Sequence, residues 1–196
     1  DMPSPFPPEN HRFQKTHVGK MNYKNIDANL PNVVEKLQYI LDRHPGRKGI
    51  IQTHSEKIAR FIKDRLYDPR LTFNKDYATP QEMMEAHKLK EGSMIVASGL
   101  REGLDLHGDL SRVQVFCKVP YPAMGDKRVA YRMDVDPEWY TYITALNFVQ
   151  ALGRSIRSEN DKALTYLLDS GFGYFFKKAG KFIPDHILDS YYESWK

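Results

Sequence analysis

Apolar positions recur along the chain in two alternating rhythms, short solid runs and longer stretches with helical spacing. "LPNVVEKLQYILDRH" carries Val33, Val34, Leu37, Ile40 and Leu41 at that spacing, which predicts a helix, and "PGRKG" supplies its stop. "GIIQTH" is a short β-rich run. "SEKIARFIKDRL" places Ile58, Phe61, Ile62 and Leu66 on one face behind Ser55 as N-cap. "RLTFN" reads as a short strand. "TPQEMMEAHKLKEG" opens with Thr79 as cap and Pro80 at the first helical position. "SMIVAS", "VQVFCKV" and "KALTYLLD" are further strands. The longest predicted helix is "DPEWYTYITALNFVQALGRSIRS", with Asp136 as cap and Pro137 in its first turn. The tail, "GFGYFFKKAGKFIPDHILDSYYESWK", is aromatic and partly helical. Short apolar strands alternating with helices predict an α/β domain with a mainly parallel sheet flanked by helices. Residues 1–29, with clustered prolines and little period, are expected to be a linker or extended lead-in, and residues 30–196 the domain.

Composition narrows the class. With 196 residues, 41% of them hydrophobic and 28% charged, the chain can bury a core of ordinary size. A formal net charge of +4 is a mild lean toward polyanions. No apolar run approaches the ~20 residues that span a bilayer, and "DMPSPFPPEN" is no signal segment, so no membrane partner is expected. The start on Asp1 is what a piece of a longer protein would show. The single cysteine, Cys117, excludes an internal disulfide and a four-cysteine metal site, and lies in an apolar run that suits a buried structural thiol. A reducing, intracellular setting follows, cytoplasmic or nucleoid/nuclear. The histidines show no metal-ligand spacing.

Two segments carry the chemistry. In "QALGRSIRSEND", projection at about 100° per residue puts Ala145, Val149, Leu152 and Ile156 on the sheet-facing stripe, and Gln150, Arg154 and Arg157 within an opposite arc of about 60°. Neighbouring guanidiniums repel, and a shared anion explains them better than helix stability does. A solvated basic face is the plain alternative. Gly153 beside that arc costs roughly 1 kcal/mol in a helix interior and is read as room for a close approach. In "IVASGLREGLDLHGD" a strand ends at Ser98 and enters a loop with Gly99, Gly103 and Gly108. Ligands of parallel sheets bind at this end of the strands. Asp105, between Leu104 and Leu106, is expected to be directed and half-buried, to accept from a ribose hydroxyl or an arginine; a βα turn with an Asp cap is the alternative. His54 is a candidate to bond a phosphate. "QKTHVGKM" fails as a Walker A loop, with Gln14 and Met21 where a glycine and a hydroxyl are needed.

These residues carry a resemblance. "QALGRSIRS" resembles motif VI of superfamily 2 helicases, and "VASGLREGLDL" their motif V, at a spacing of about fifty residues that suits a second RecA-like domain. "SPFPPEN", "GIIQTHS", "REGLDLHGD", "KVPYP" and "QALGRSIRSENDKALTYLLDS" together resemble the XPD/DinG-type DNA helicases, over roughly residues 3–176. The resemblance implies that Arg154 and Arg157 reach the γ-phosphate of ATP, with Gln150 ordering that network. Gly103 and Asp105 would face the nucleotide, with Glu102 and Gly153 beside them. Ser98, Thr53 and Ser55 would lie along the nucleic-acid backbone, with Arg101 a weaker phosphate contact. Motifs I and II and the family's iron–sulfur cysteines are absent from the sequence; in the family they belong to the first motor domain. ATP with Mg²⁺ would therefore be held mainly by that partner domain, with single-stranded DNA across both. The fragment alone is expected to be inactive. The alternatives are a non-catalytic nucleic-acid- or protein-binding module, or half of another superfamily 2 translocase or RNA helicase.

Overall fold

The computed structural model describes residues 7–99, 104–156 and 161–193. Six strands form one sheet: β1 (His11–Gly19), β2 (Gly49–Gln52), β3 (Leu71–Phe73), β4 (Met94–Ala97), β5 (Val113–Phe116) and β6 (Ala163–Asp169). Their order is β1-β6-β5-β2-β4-β3, and every pairing is parallel. The helices are α1 (Ile26–Arg43), α2 (Glu56–Arg65), α3 (Pro80–Leu89), α4 (Lys127–Val135), α5 (Pro137–Leu152), α6 (Phe172–Ala179) and α7 (Asp185–Glu193). The expected α/β, RecA-like arrangement is the one observed.

Helices cover both faces, which is why the central strands read as solid apolar runs and not as alternation. On one face Ile51, Met94, Val96, Val113 and Val115 pack against Leu37 and Leu41 of α1 and Ile58 and Ile62 of α2. On the other, Phe116 and Leu167 meet Phe148 of α5 and Phe172, Phe175 and Phe176 of α6. Ile50 and Ile95 meet Met83 of α3. At the centre, a Cβ on Gly49 would stand 2.0 Å from the carbonyl oxygen of Val113, so only glycine admits β5 this close.

Three elements depart from expectation. Residues 1–29 are not linker throughout: residues 11–19 are a nine-residue strand running parallel to β6. The edge position explains the weak signal, because Arg12 and Gln14 stay exposed while His11 and Phe13 are buried. α1 starts a turn early, at Ile26, and carries Pro31 inside it. That proline is exposed, so the Asp27 carbonyl that loses its helical partner can turn to water. α4 is a separate helix with no buried residue, and so leaves no apolar period to read. The caps match expectation: Ser55, Thr79 and Asp136 accept from the backbone N–H groups of Ile58, Glu82 and Trp139.

A candidate nucleotide and nucleic-acid cleft at the strand ends

The carboxyl ends of β2, β4 and β5 open into a cleft of about 680 Å³. One wall is His54, Ser55, Ser98 and Gly99; the other is Asn147, Gln150 and Arg154 from the end of α5; Pro120 and Tyr121 close a side. Four expected site residues, Ser55, Ser98, Gln150 and Arg154, are thus brought together. Arg157, Arg101, Glu102 and Gly103 lie outside the described residues.

Arg154 is not placed as the helical projection supposed. α5 ends at Leu152, with Gly153 as its C-cap at φ −65°, so Arg154 sits in the turn beyond and not on a helical arc. Gly153 carries no helix-interior cost there. A Cβ on it would touch only the carbonyls of Val149, at 3.4 Å, and Gln150, so no packing inside this chain demands glycine.

The helix stops because buried strand glutamines supply donors to its last carbonyls. Gln52 Nε2 donates to the Ala151 carbonyl at 3.1 Å, and Gln114 Nε2 to the same oxygen at 2.9 Å. Gln114 also donates to Ser155 Oγ at 3.1 Å, which bonds Ser111 Oγ at 2.6 Å. The Oε1 of Gln52 then accepts from Arg154 Nη1 at 3.3 Å. One buried amide therefore ties both the helix end and the guanidinium to β2. Sequence reading missed both glutamines, although an amide inside "GIIQ" and another inside "VQVF" was a signal: in a strand buried on both faces, an amide must find partners.

The segment after β2 also differs from expectation. Thr53 is fully buried, and its hydroxyl donates toward the carbonyls of Ala97 and Ser55, both at 3.0 Å. It is a structural pin and does not line the cleft. His54 does. Its φ of 47° is left-handed, alone in this among the described non-glycine residues. Its ring stacks on Phe116 at 5.7 Å between centroids, and its buried Nε2 has no partner. Burial, then the nearby charges of Arg154 and Lys118, lower its pKa to about 4, so the imidazole is neutral at pH 7.

Ser98 is held through its backbone. Asn74 Oδ1 accepts from its N–H at 3.4 Å, and Asn74 Nδ2 donates to its carbonyl at 3.3 Å. The Ser98 hydroxyl is buried without a partner, and Gly99 follows at φ 64°, a turn that favours glycine. Asp105 is a further correction. Leu104 and Leu106 on either side are buried, as their alternation implies, but the carboxylate is 63% exposed, pairs with His107 Nδ1 at 3.2 Å, and does not line the cleft. Cys117 is fully buried, and burial pushes its thiol pKa well up, so it is structural. Tyr121 stacks on Tyr140 at 5.8 Å, and Asn147 Nδ2 donates to the Pro120 carbonyl at 3.3 Å, bracing the side wall. Among the described residues no cluster of His, Cys, Asp or Glu is placed to hold a metal, and no helix is long and apolar enough to cross a membrane.

A parallel sheet with a cleft at its carboxyl ends and an arginine bonded beside it is the place where open α/β sheets take their ligands. The comparisons name the family. Residues 51–188 match the helicase C-terminal domain model, and the chain belongs to that family. No curated protein matches it by sequence. Its fold is that of XPD structures. It is similar to S. tokodaii Xpd4 (17% identity, TM-score 0.70, 90% of this chain and 37% of that one). It is also similar to an apo XPD (21%, 0.72, 88% and 38%) and an XPD helicase (20%, 0.71, 87% and 34%). The chain thus spans little more than a third of the length of these structures. The reading of the sequence as the second motor domain of an XPD-type helicase agrees with both kinds of match.

Proposed function

We propose that this chain is the second motor domain of an ATP-dependent DNA helicase, completing an ATP site whose Walker loop and Mg²⁺ ligands belong to a first motor domain. The observation that carries the reading is Arg154, clamped by Gln52 at the mouth of the strand-end cleft beside exposed Gln150. A guanidinium so held reaches outward with little freedom to lose. It is suited to stabilise charge on a phosphoryl group presented from across the cleft. Arg157 carries the same role on its motif match. Ser55 and Ser98, on the opposite wall, are the proposed contacts to the backbone of a single strand, largely independent of sequence and sensitive to salt.

Domain closure on ATP would bring Arg154 to the γ-phosphate; loss of that phosphate would release it and let the strand contacts shift. The chain by itself, with no Walker loop, neither hydrolyses ATP nor unwinds DNA in this scheme. The test uses the full-length protein. Arg154→Ala should lower DNA-stimulated ATP turnover about 10³-fold or more while leaving circular dichroism unchanged, with a stability loss of no more than about 1–3 kcal/mol from the Gln52 acceptor left unpaired. Turnover near wild type in a folded variant would overturn the assignment.

A further inference from the structure

The turn from Thr53 to Ser55 holds a side chain that the fold does not need to place as it does. His54 has the left-handed φ of 47°, although Asn or Gly serves such a position at lower cost. The turn is fixed around it: Thr53 Oγ1 donates to the Ser55 carbonyl, and Ser55 Oγ caps α2. Backbone strain that the surroundings impose in this way concentrates at ligand sites. Two polar atoms beside it have no partner, His54 Nε2 and Ser98 Oγ. Their residues end adjacent strands, joined by the Thr53 N–H to Ala97 carbonyl bond of 2.9 Å, and both line the same cleft. Elsewhere the buried side-chain amides of Gln52 and Gln114 are bonded. Buried polar groups without partners call for a cause, and here a ligand in the cleft is the available source of one.

We propose that His54 is a ligand-contacting residue of this cleft, its imidazole and the Ser98 hydroxyl together donating to one phosphate oxygen of the bound ligand. This rests on the function proposed above. It moves the contact from Thr53, whose hydroxyl is already used, to its neighbour. The neutral ring offers one N–H donor and leaves Arg154 as the principal charge facing the anion. The stack on Phe116 orients the ring, and the Thr53 pin orients the turn. Because Ser98 is the proposed strand contact, the phosphate is assigned to the single strand; a phosphate of the nucleotide is the other source, and the two arms of the test separate them.

The experiment compares His54→Gly, His54→Asn and Ser98→Ala in the full-length protein. Anisotropy with a labelled oligothymidine, without nucleotide, reads the strand. A fluorescent non-hydrolysable ATP analogue, without DNA, reads the nucleotide. Melting temperature reads the fold. His54→Gly suits the left-handed backbone, so it should fold while weakening one of the two ligands about tenfold or more. His54→Asn, which tolerates the same φ and keeps an N–H donor one bond short of the Nε2 position, should recover only part of that loss. Ser98→Ala should weaken the same ligand, and the double variant should lose less than the two single losses combined. A folded His54→Gly that binds both ligands as wild type does would overturn the inference, as would Ser98→Ala weakening the other ligand. If Arg154→Ala abolishes turnover while His54→Gly binds normally, the inference alone falls. If Arg154→Ala leaves turnover intact, the function proposed above falls first.

Discussion

Two sets of polar groups at or near the sheet contrast. Between β2, β5 and α5, Gln52, Gln114, Ser111, Ser155 and Thr165 form a bonded network. A few residues away at the cleft, His54 Nε2 and Ser98 Oγ are buried without partners. Both sets are buried and both lie at or near the sheet. The first builds the structure, and its geometry is complete. The second is left without partners inside the chain.

That contrast can be broken in several ways. The largest effect should come from the two motif arginines. Arg157→Ala, like Arg154→Ala, should lower ATP turnover of the full-length protein about 10³-fold or more; turnover near wild type in a folded Arg157→Ala variant would remove that residue from the site.

Acid comes next. Burial lowers the pKa of both His11 and His54 from 6.5 to about 4. The unfolded chain then binds more protons between these values, so their contribution is complete above about pH 6.5 and shrinks as the pH falls toward 4. The loss is on the order of 3 kcal/mol per histidine at most. Urea melts across that range should show it, and His54→Asn should flatten part of the slope. An unchanged slope would mean that His54 is not shielded.

Gln114→Leu should cost about 2–3 kcal/mol, because it removes donors from the end of α5 and leaves their partners buried. It should also slow turnover by loosening the seat of Arg154. Full stability in this variant would remove the network from the account. The smallest effects form a matched pair. Thr53→Val should cost about 1–2 kcal/mol by removing two internal bonds and leave strand binding intact. Ser98→Ala should change stability little, since it deletes an unbonded group, and should weaken binding. A reversal of the two outcomes would erase the distinction between the sets.

The comparison also explains what could be read in advance. The strands β2, β4, β5 and β6 and the caps of α2, α3 and α5 were legible because their signals are local: solid apolar runs, and a capping side chain at the right offset. The end of α5 was not. Apart from Gly153 its sequence continues with helix-compatible residues through Ile156, and its last carbonyls are met by donors on Gln114 and on Gln52, the latter 99 residues away in the chain. Arg154 and Gln150 were singled out from the sequence and both line the cleft, yet the bond that holds Arg154 comes from that distant amide. That Thr53 is buried and His54 lines the cleft was not legible, because type and position in a motif do not say which of two adjacent polar side chains turns inward. The exposure of Asp105 was hidden for the same reason: buried neighbours on both sides leave its own direction open. β1 was obscured by an edge position with polar residues on its open face, and α4 by having no buried face.

The place of β1 has a consequence for assembly. Among the described residues it precedes every other strand, yet its hydrogen-bonding neighbour is β6, which follows all the rest, and α7 packs on its Phe13 face. The strand synthesised first is therefore the last to be paired. Until β6 emerges, the sheet can grow only from β2 outward, and the leading segment waits as an unpaired ribbon with a buried-type face at Phe13. Such a long closure slows folding and leaves an open strand edge in the interval. A ribosome releasing this domain thus delivers its first strand to solvent and its last strand to a waiting partner.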